Sequence, residues 1–144
     1  MSEEIKRISI LDFVKTYNAV SSEQVKRTML QNISKDQRVY IPYQKKIEAA
    51  EKIIHKANCI NDNGNNKYVF NGPIQYLYYI KTLLDLYTNF QSNEPFYEEY
   101  DALNQNDLLS DILQQMPADK VEFDTIFNMV RDDSEQNQYY RILN

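Results

Sequence analysis

The sequence holds one cysteine, one histidine, no tryptophan, two glycines and four prolines among 144 residues. Each shortage excludes something. Cys59 alone cannot close an intrachain disulfide, so no oxidising compartment is implied. One Cys and one His fall short of a structural zinc site. Gly64 and Gly72 do not build a phosphate-cradling loop, and no nucleotide-binding motif is present. So few turn-formers argue against a sheet-rich fold. The apolar runs are too short to cross a bilayer, and the opening "MSEEIKRISI" mixes acids with bases where a signal peptide carries an apolar stretch. The expectations are a cytoplasmic location, no membrane and no cofactor.

What is present describes a folded chain. Apolar residues are 42% and charged residues 26%, the balance of an ordinary globular protein. The length suits a single helical domain over residues 1–144. Charge is divided along it: residues 1–81 carry 13 Lys/Arg against 8 Asp/Glu, and residues 82–144 carry 3 against 13. Two oppositely charged regions can be solvated, or can form a dipolar surface for partners or for copies of the chain itself. Tyr40, Tyr43, Lys45 and Lys46 interleave rings with bases, and Lys35, Arg38, Lys52 and Lys56 extend that stretch. Without overall basicity or a recognition-helix pattern it reads as a solvated face, and nucleic acid is not an expected partner.

The periodicity is helical nearly throughout, and a bundle of about six or seven helices is expected. Ser9-Ile10-Leu11-Asp12 resembles a capping box, followed by Phe13, Val14 and Tyr17 at helical spacing. Ser21-Ser22 restarts a helix with Val25, Met29 and Ile33 on one stripe. Pro42 suits the first turn of a third, lined by Ile47, Ala50, Ile54 and Ala57. Residues 58–70 break the rhythm with an Asn-Gly pair between β-prone runs, either a small hairpin or a disordered loop. The Asp62-Asn63-Gly64 triplet lacks the oxygen ladder and distal glutamate of a calcium loop. Beyond come a short helix after Pro95, another from Asp107 that Pro117 stops, and a last one from Asp119. In that last helix Phe123, Ile126, Phe127, Met129 and Val130 share a face, and 134–144 reads as a polar tail that frays.

"NGPIQYLYYIKTLLDLYTNF" is the richest stretch, and a helix over 73–90 is predicted to stand at the centre of the bundle. On a helical wheel Gln75, Lys81, Thr82, Asp85, Thr88 and Asn89 occupy an arc of about 140°, and apolar and aromatic residues fill the rest. Tyr78 is the tyrosine within the polar arc, which makes it the candidate exposed contact.

Chemistry is sparse. Cys59 follows His55 by four residues at a helix end, but a nucleophile–histidine pair needs a third orienting group, and none is evident. His55 suits a helix C-terminus on dipole grounds. The pairs Glu98-Glu99 and Asp132-Asp133 point about 100° apart on a helix and do not share a proton. The expectation is a protein that is not an enzyme.

The segments "ISILDFVKTYN", "YIPYQKKIEAAEKII", "FNGPIQYLYYIKTLLDLYTNF", "YDALNQNDLLSDILQQMP" and "FNMVRDD" together resemble a family of small proteins from phages and prophages of Gram-positive bacteria, over roughly residues 8 to 135. The resemblance rests on packing and surface patterns and carries over no functional residues. It implies a bacterial host and a choice of roles, of which an unsuspected enzyme fits the sparse chemistry least and two others fit it about equally. The first is a virion or morphogenesis accessory component of head, neck or tail, with phage structural proteins or its own copies as partners. The second is an intracellular effector that binds and blocks a host protein through the acidic C-terminal half. The candidate partner-binding residues are Tyr78, Glu98, Glu99, Asp101, Asp132 and Asp133.

Overall fold

A computed structural model describes residues 7–62 and 64–143, with the backbone alone for 59–62, 65–68 and 138–143. Seven helices and a small hairpin make up most of the described chain. The order is β1 (Ile8–Ser9), α1 (Ile10–Ala19), α2 (Glu23–Ile33), α3 (Tyr43–Asn58), β2 (Cys59–Asp62), β3 (Asn65–Tyr68), α4 (Gly72–Tyr87), β4 (Phe90–Gln91), α5 (Tyr97–Gln105), α6 (Leu108–Gln114) and α7 (Lys120–Leu143). The chain divides into two compact units, Met1–Val39 with Leu83–Ala118 and Tyr40–Thr82 with Asp119–Asn144.

In the first unit the helix starts follow their caps. The Ser9 hydroxyl accepts the Asp12 N–H and the Ser22 hydroxyl accepts that of Val25, satisfying donors that a bare helix end leaves open. Ile10, Phe13 and Val14 of α1 are buried with Leu30 and Ile33 of α2, Leu103 of α5, and Leu108, Leu109 and Ile112 of α6. The expected stripe on α2 is rotated: Val25 is 47% exposed and Met29 half-buried, while Leu30 turns inward. Two apolar stripes were available on that short helix, and the inward one is shared by Leu30 and Ile33.

The long aromatic helix ends at Tyr87 rather than at residue 90. Thr88 stops it. Its Oγ1 donates to the Leu84 carbonyl at 2.5 Å and accepts the Phe90 N–H at 3.1 Å. The backbone then leaves as an extended segment bonded on both sides. Asn89 N–H reaches the Ile33 carbonyl and Lys35 N–H the Tyr87 carbonyl, while Ile8 N–H reaches the Asn89 carbonyl. Ile8 and Ser9 thereby pair in parallel with Phe90 and Gln91. Phe90 is fully buried, edge-on to Phe13 at 5.1 Å.

In the second unit α3 packs against α7, and Ala50, Ile53, Ile54 and Ala57 are buried with Phe123, Ile126 and Phe127. Met129, placed on the inward face by periodicity, is 49% exposed. An arc that wide holds more apolar residues than one neighbouring helix covers. The helices run in the same direction: Lys46 meets Asp119 and Glu122 near their starts, and Ile54 and Val130 line one cleft further along. Residues 59–62 and 65–68 form the hairpin alternative, β2 antiparallel to β3 with Cys59 opposite Tyr68. Gly64 takes φ +84° in its turn, a left-handed conformation that glycine adopts without steric cost. Asn58 ties the hairpin to α4. Its carbonyl accepts the Val69 N–H, and its Oδ1 accepts the Asn71 N–H and the Gln75 side-chain amide. The 134–143 backbone is helical.

Candidate functional site

The acidic residues of α5 separate into two roles. Tyr97, Glu98 and Asp101 stand one, three and four positions apart, so they share one side of the helix. Tyr97 is 55% exposed, and both carboxylates are exposed. Neither Glu98 nor Asp101 has a hydrogen bond or ion-pair partner among the described residues. Asp107 and Asp111 are exposed on the following turn and helix of the same unit. Glu99 faces the other way. It is 5% exposed, its Oε1 accepting the Asn93 backbone and side-chain N–H groups at 3.2 and 3.1 Å. Its carboxylate closes the loop before α5 and is withdrawn from the acidic face on which the sequence placed it.

Three bases of the same unit have contacts of their own. Arg7 donates to the Phe90 carbonyl at 2.9 Å, Lys26 lies 5.1 Å over the Tyr17 ring, and Arg38 pairs with Asp36. The Arg38 hydrogen bonds hold the Asp36 carboxyl down at about 2. Burial pushes the Tyr17 hydroxyl up, aided by the charges of Asp111 and Glu23. Tyr97, Glu98 and Asp101 thus form a ridge with an aromatic flank and uncompensated negative charge.

The remaining sequence candidates lie in the other unit. Asp132 and Asp133 are exposed on α7, and Asp132 is 3.7 Å from Arg131. Tyr78 is half-buried, with the Lys56 ammonium 5.7 Å over its ring. The exposed ring of that stretch is Tyr76, at 48%, and Gln75, assigned by the wheel to solvent, is buried. A wheel ranks faces by polarity, but Asn58 draws Gln75 inward by a hydrogen bond of 3.0 Å, which turns Tyr76 outward.

A trough of about 390 Å³ runs between α4 and α7 beside Tyr76. Tyr79 and Phe127 form its wall, rings stacked at 5.1 Å. The Tyr79 hydroxyl donates to Asp124 Oδ1, and Lys120 Nζ lies 2.9 Å from Oδ2. Burial first, and then this carboxylate, push the Tyr79 hydroxyl well above its usual range. At the other end the Arg131 guanidinium lies 5.7 Å over Phe127. The sequence offered no route to this grouping, since Tyr79, Asp124 and Arg131 meet only when the two helices pack.

His55 is exposed on α3, lining a shallow cleft with Glu51, Lys52 and Val130. The Cys59 side chain lies outside the described residues. Among the described residues no group of three His, Cys, Asp or Glu side chains converges for a metal ion, and no helix is long and apolar enough to cross a membrane. Comparisons with protein-family models, curated proteins and solved structures find no match to this chain.

Proposed function

We propose that the chain is a non-catalytic protein-interaction module of a phage, acting as a virion or morphogenesis accessory component of head, neck or tail. The observation that carries this reading is the α5 ridge, where exposed Tyr97 stands beside the unpaired carboxylates Glu98 and Asp101. Aromatic residues are enriched at protein interfaces, and uncompensated charge steers a partner of opposite sign. The partner surface therefore carries Lys or Arg around an apolar pocket that takes the Tyr97 ring. The acidic balance of residues 82–144 and of the whole chain disfavours nucleic acid. Exposure of the solitary histidine, His55, away from any orienting hydrogen bond among the described residues supports the non-catalytic part of the reading.

The same ridge suits the alternative role, an intracellular effector that blocks a host protein. Quantitative mass spectrometry of purified phage particles separates the two. Stoichiometric copies in the particle are expected for a virion component, and their loss when Glu98→Lys and Asp101→Lys are combined is expected if the ridge is the contact. Absence from the particle would remove the virion role.

A further inference from the structure

We propose that the trough between α4 and α7 binds a short acidic peptide segment of a partner protein, with an apolar or aromatic side chain against Tyr76, Tyr79 and Phe127 and a neighbouring carboxylate on Arg131. This goes beyond the α5 ridge: it lies on other elements, takes the opposite charge, and does not depend on that ridge having a partner.

Dimensions come first. The lining residues of α4 run from Gly72 to Tyr79 and those of α7 from Asp124 to Arg131. Seven residues at 1.5 Å give a trough about 10 Å long, the span of about three residues of extended peptide. Its volume is in the range of sites that hold a side chain and adjoining backbone.

Polarity comes next. Tyr79 contacts Asp124 while Gly72 and Arg131 line the same trough, so the two helices run antiparallel and Gly72 marks the Arg131 end. Asp124 is compensated on both oxygens, by the Tyr79 hydroxyl and the Lys120 ammonium, so it does not repel an incoming anion in full. Arg131 makes no hydrogen bond among the described residues. Its ion pair with the exposed Asp132 is long, 3.7 Å from Nε to Oδ1, beyond hydrogen-bond reach. The guanidinium, already placed over the Phe127 ring, retains its donors for bidentate capture of a carboxylate. The dipole of α4 favours an anion at the same end.

The wall accounts for the apolar half of the ligand. Phe127 and Tyr79 are stacked, and Tyr76 presents almost half its surface at the rim, an aromatic face for an inserted ring. Asn128 is exposed on the α7 side, and its side-chain amide suits the backbone of an extended peptide.

The test titrates the uniformly ¹⁵N-labelled full chain with acetyl-Asp-Phe-Asp-amide and follows amide shifts. Shifts confined to residues 72–79 and 124–131 are expected. The uncharged counterpart acetyl-Asn-Phe-Asn-amide is expected to bind about fivefold more weakly. Arg131→Gln should abolish that preference, with the fold checked by circular dichroism, and Tyr76→Ala should weaken both peptides. The Glu98→Gln and Asp101→Asn pair, on α5, should leave this binding unchanged, so failure here and failure of the α5 reading are told apart. No shift up to about 10 mM peptide, shifts outside the trough, or an acid preference that survives Arg131→Gln would each overturn the proposal. So would the same residues shifting when the protein alone is concentrated, which makes a second copy the occupant.

Discussion

Lys46 has no exposed surface and yet is held as an ammonium. Its Nζ lies 2.6 Å from Asp119 and 2.7 Å from Glu122, with the Tyr40 ring 4.2 Å away. Asp119 uses its second oxygen on the Ile41 N–H. Burial pulls the Lys46 pKa down, and the two carboxylates pull it up further, so the net shift is upward. A group whose folded pKa is raised contributes stability that is complete below its unfolded value, about 10.4, and lost as pH rises through the folded one. Lys46→Met leaves Asp119 buried without its cation and is expected to cost about 3–5 kcal/mol at pH 7. Urea titrations of both proteins should show that gap narrowing as pH rises through the alkaline range. A gap that stays constant through that range would mean the charge is not what stabilises the site. Neighbouring carboxylates on α5 offer a second contrast. Glu99→Ala strips the Asn93 N–H groups of their acceptor and should cost about 1–2 kcal/mol. Glu98→Ala and Asp101→Ala, both exposed, should stay within about 0.5 kcal/mol.

Elements bear the mark of these residues at their ends. Where Thr88 stops α4, its hydroxyl joins its own N–H on the Leu84 carbonyl and accepts the Phe90 N–H in place of a backbone carbonyl, and the extended segment beyond it is bonded to residues 33–35 and to Ile8. Thr88→Val keeps the shape but leaves the buried Phe90 N–H without an acceptor. The expected loss is about 1–3 kcal/mol, read as a lower urea midpoint at unchanged slope. The helices themselves were largely legible in the sequence, because capping serines, Pro42, Pro95, Pro117 and 3.6-residue spacing act locally. The hairpin was half legible, since Asn-Gly marks the turn but the pairing of Cys59 with Tyr68 is a tertiary choice. The short strands β1 and β4 were not: Phe90 continues a helical pattern, and only the long-range pairing to Ile8 shows it to be extended. The candidate site follows the same rule. Exposure of Glu98 and Asp101 could be read from composition, while withdrawal of Glu99 into the Asn93 loop and exposure of Tyr76 in place of Tyr78 depend on single hydrogen bonds.

At the scale of the molecule, charge is segregated by sequence, and each unit has a surface where an exposed aromatic residue stands beside charged side chains. The first unit offers Tyr97 with Glu98 and Asp101, and the second offers Tyr76 with Arg131. Surfaces of opposite charge preference on one small chain suit a component that joins two partners. The α5 ridge is the center of that account, and carbodiimide cross-linking during phage assembly, followed by peptide mass spectrometry, tests it most directly. Glu98 and Asp101 are expected to appear joined to lysines of one phage structural protein, and the link should vanish in the combined Glu98→Gln and Asp101→Asn variant. An absence of cross-links at those two residues, or the same partner recovered undiminished from the variant, would contradict it.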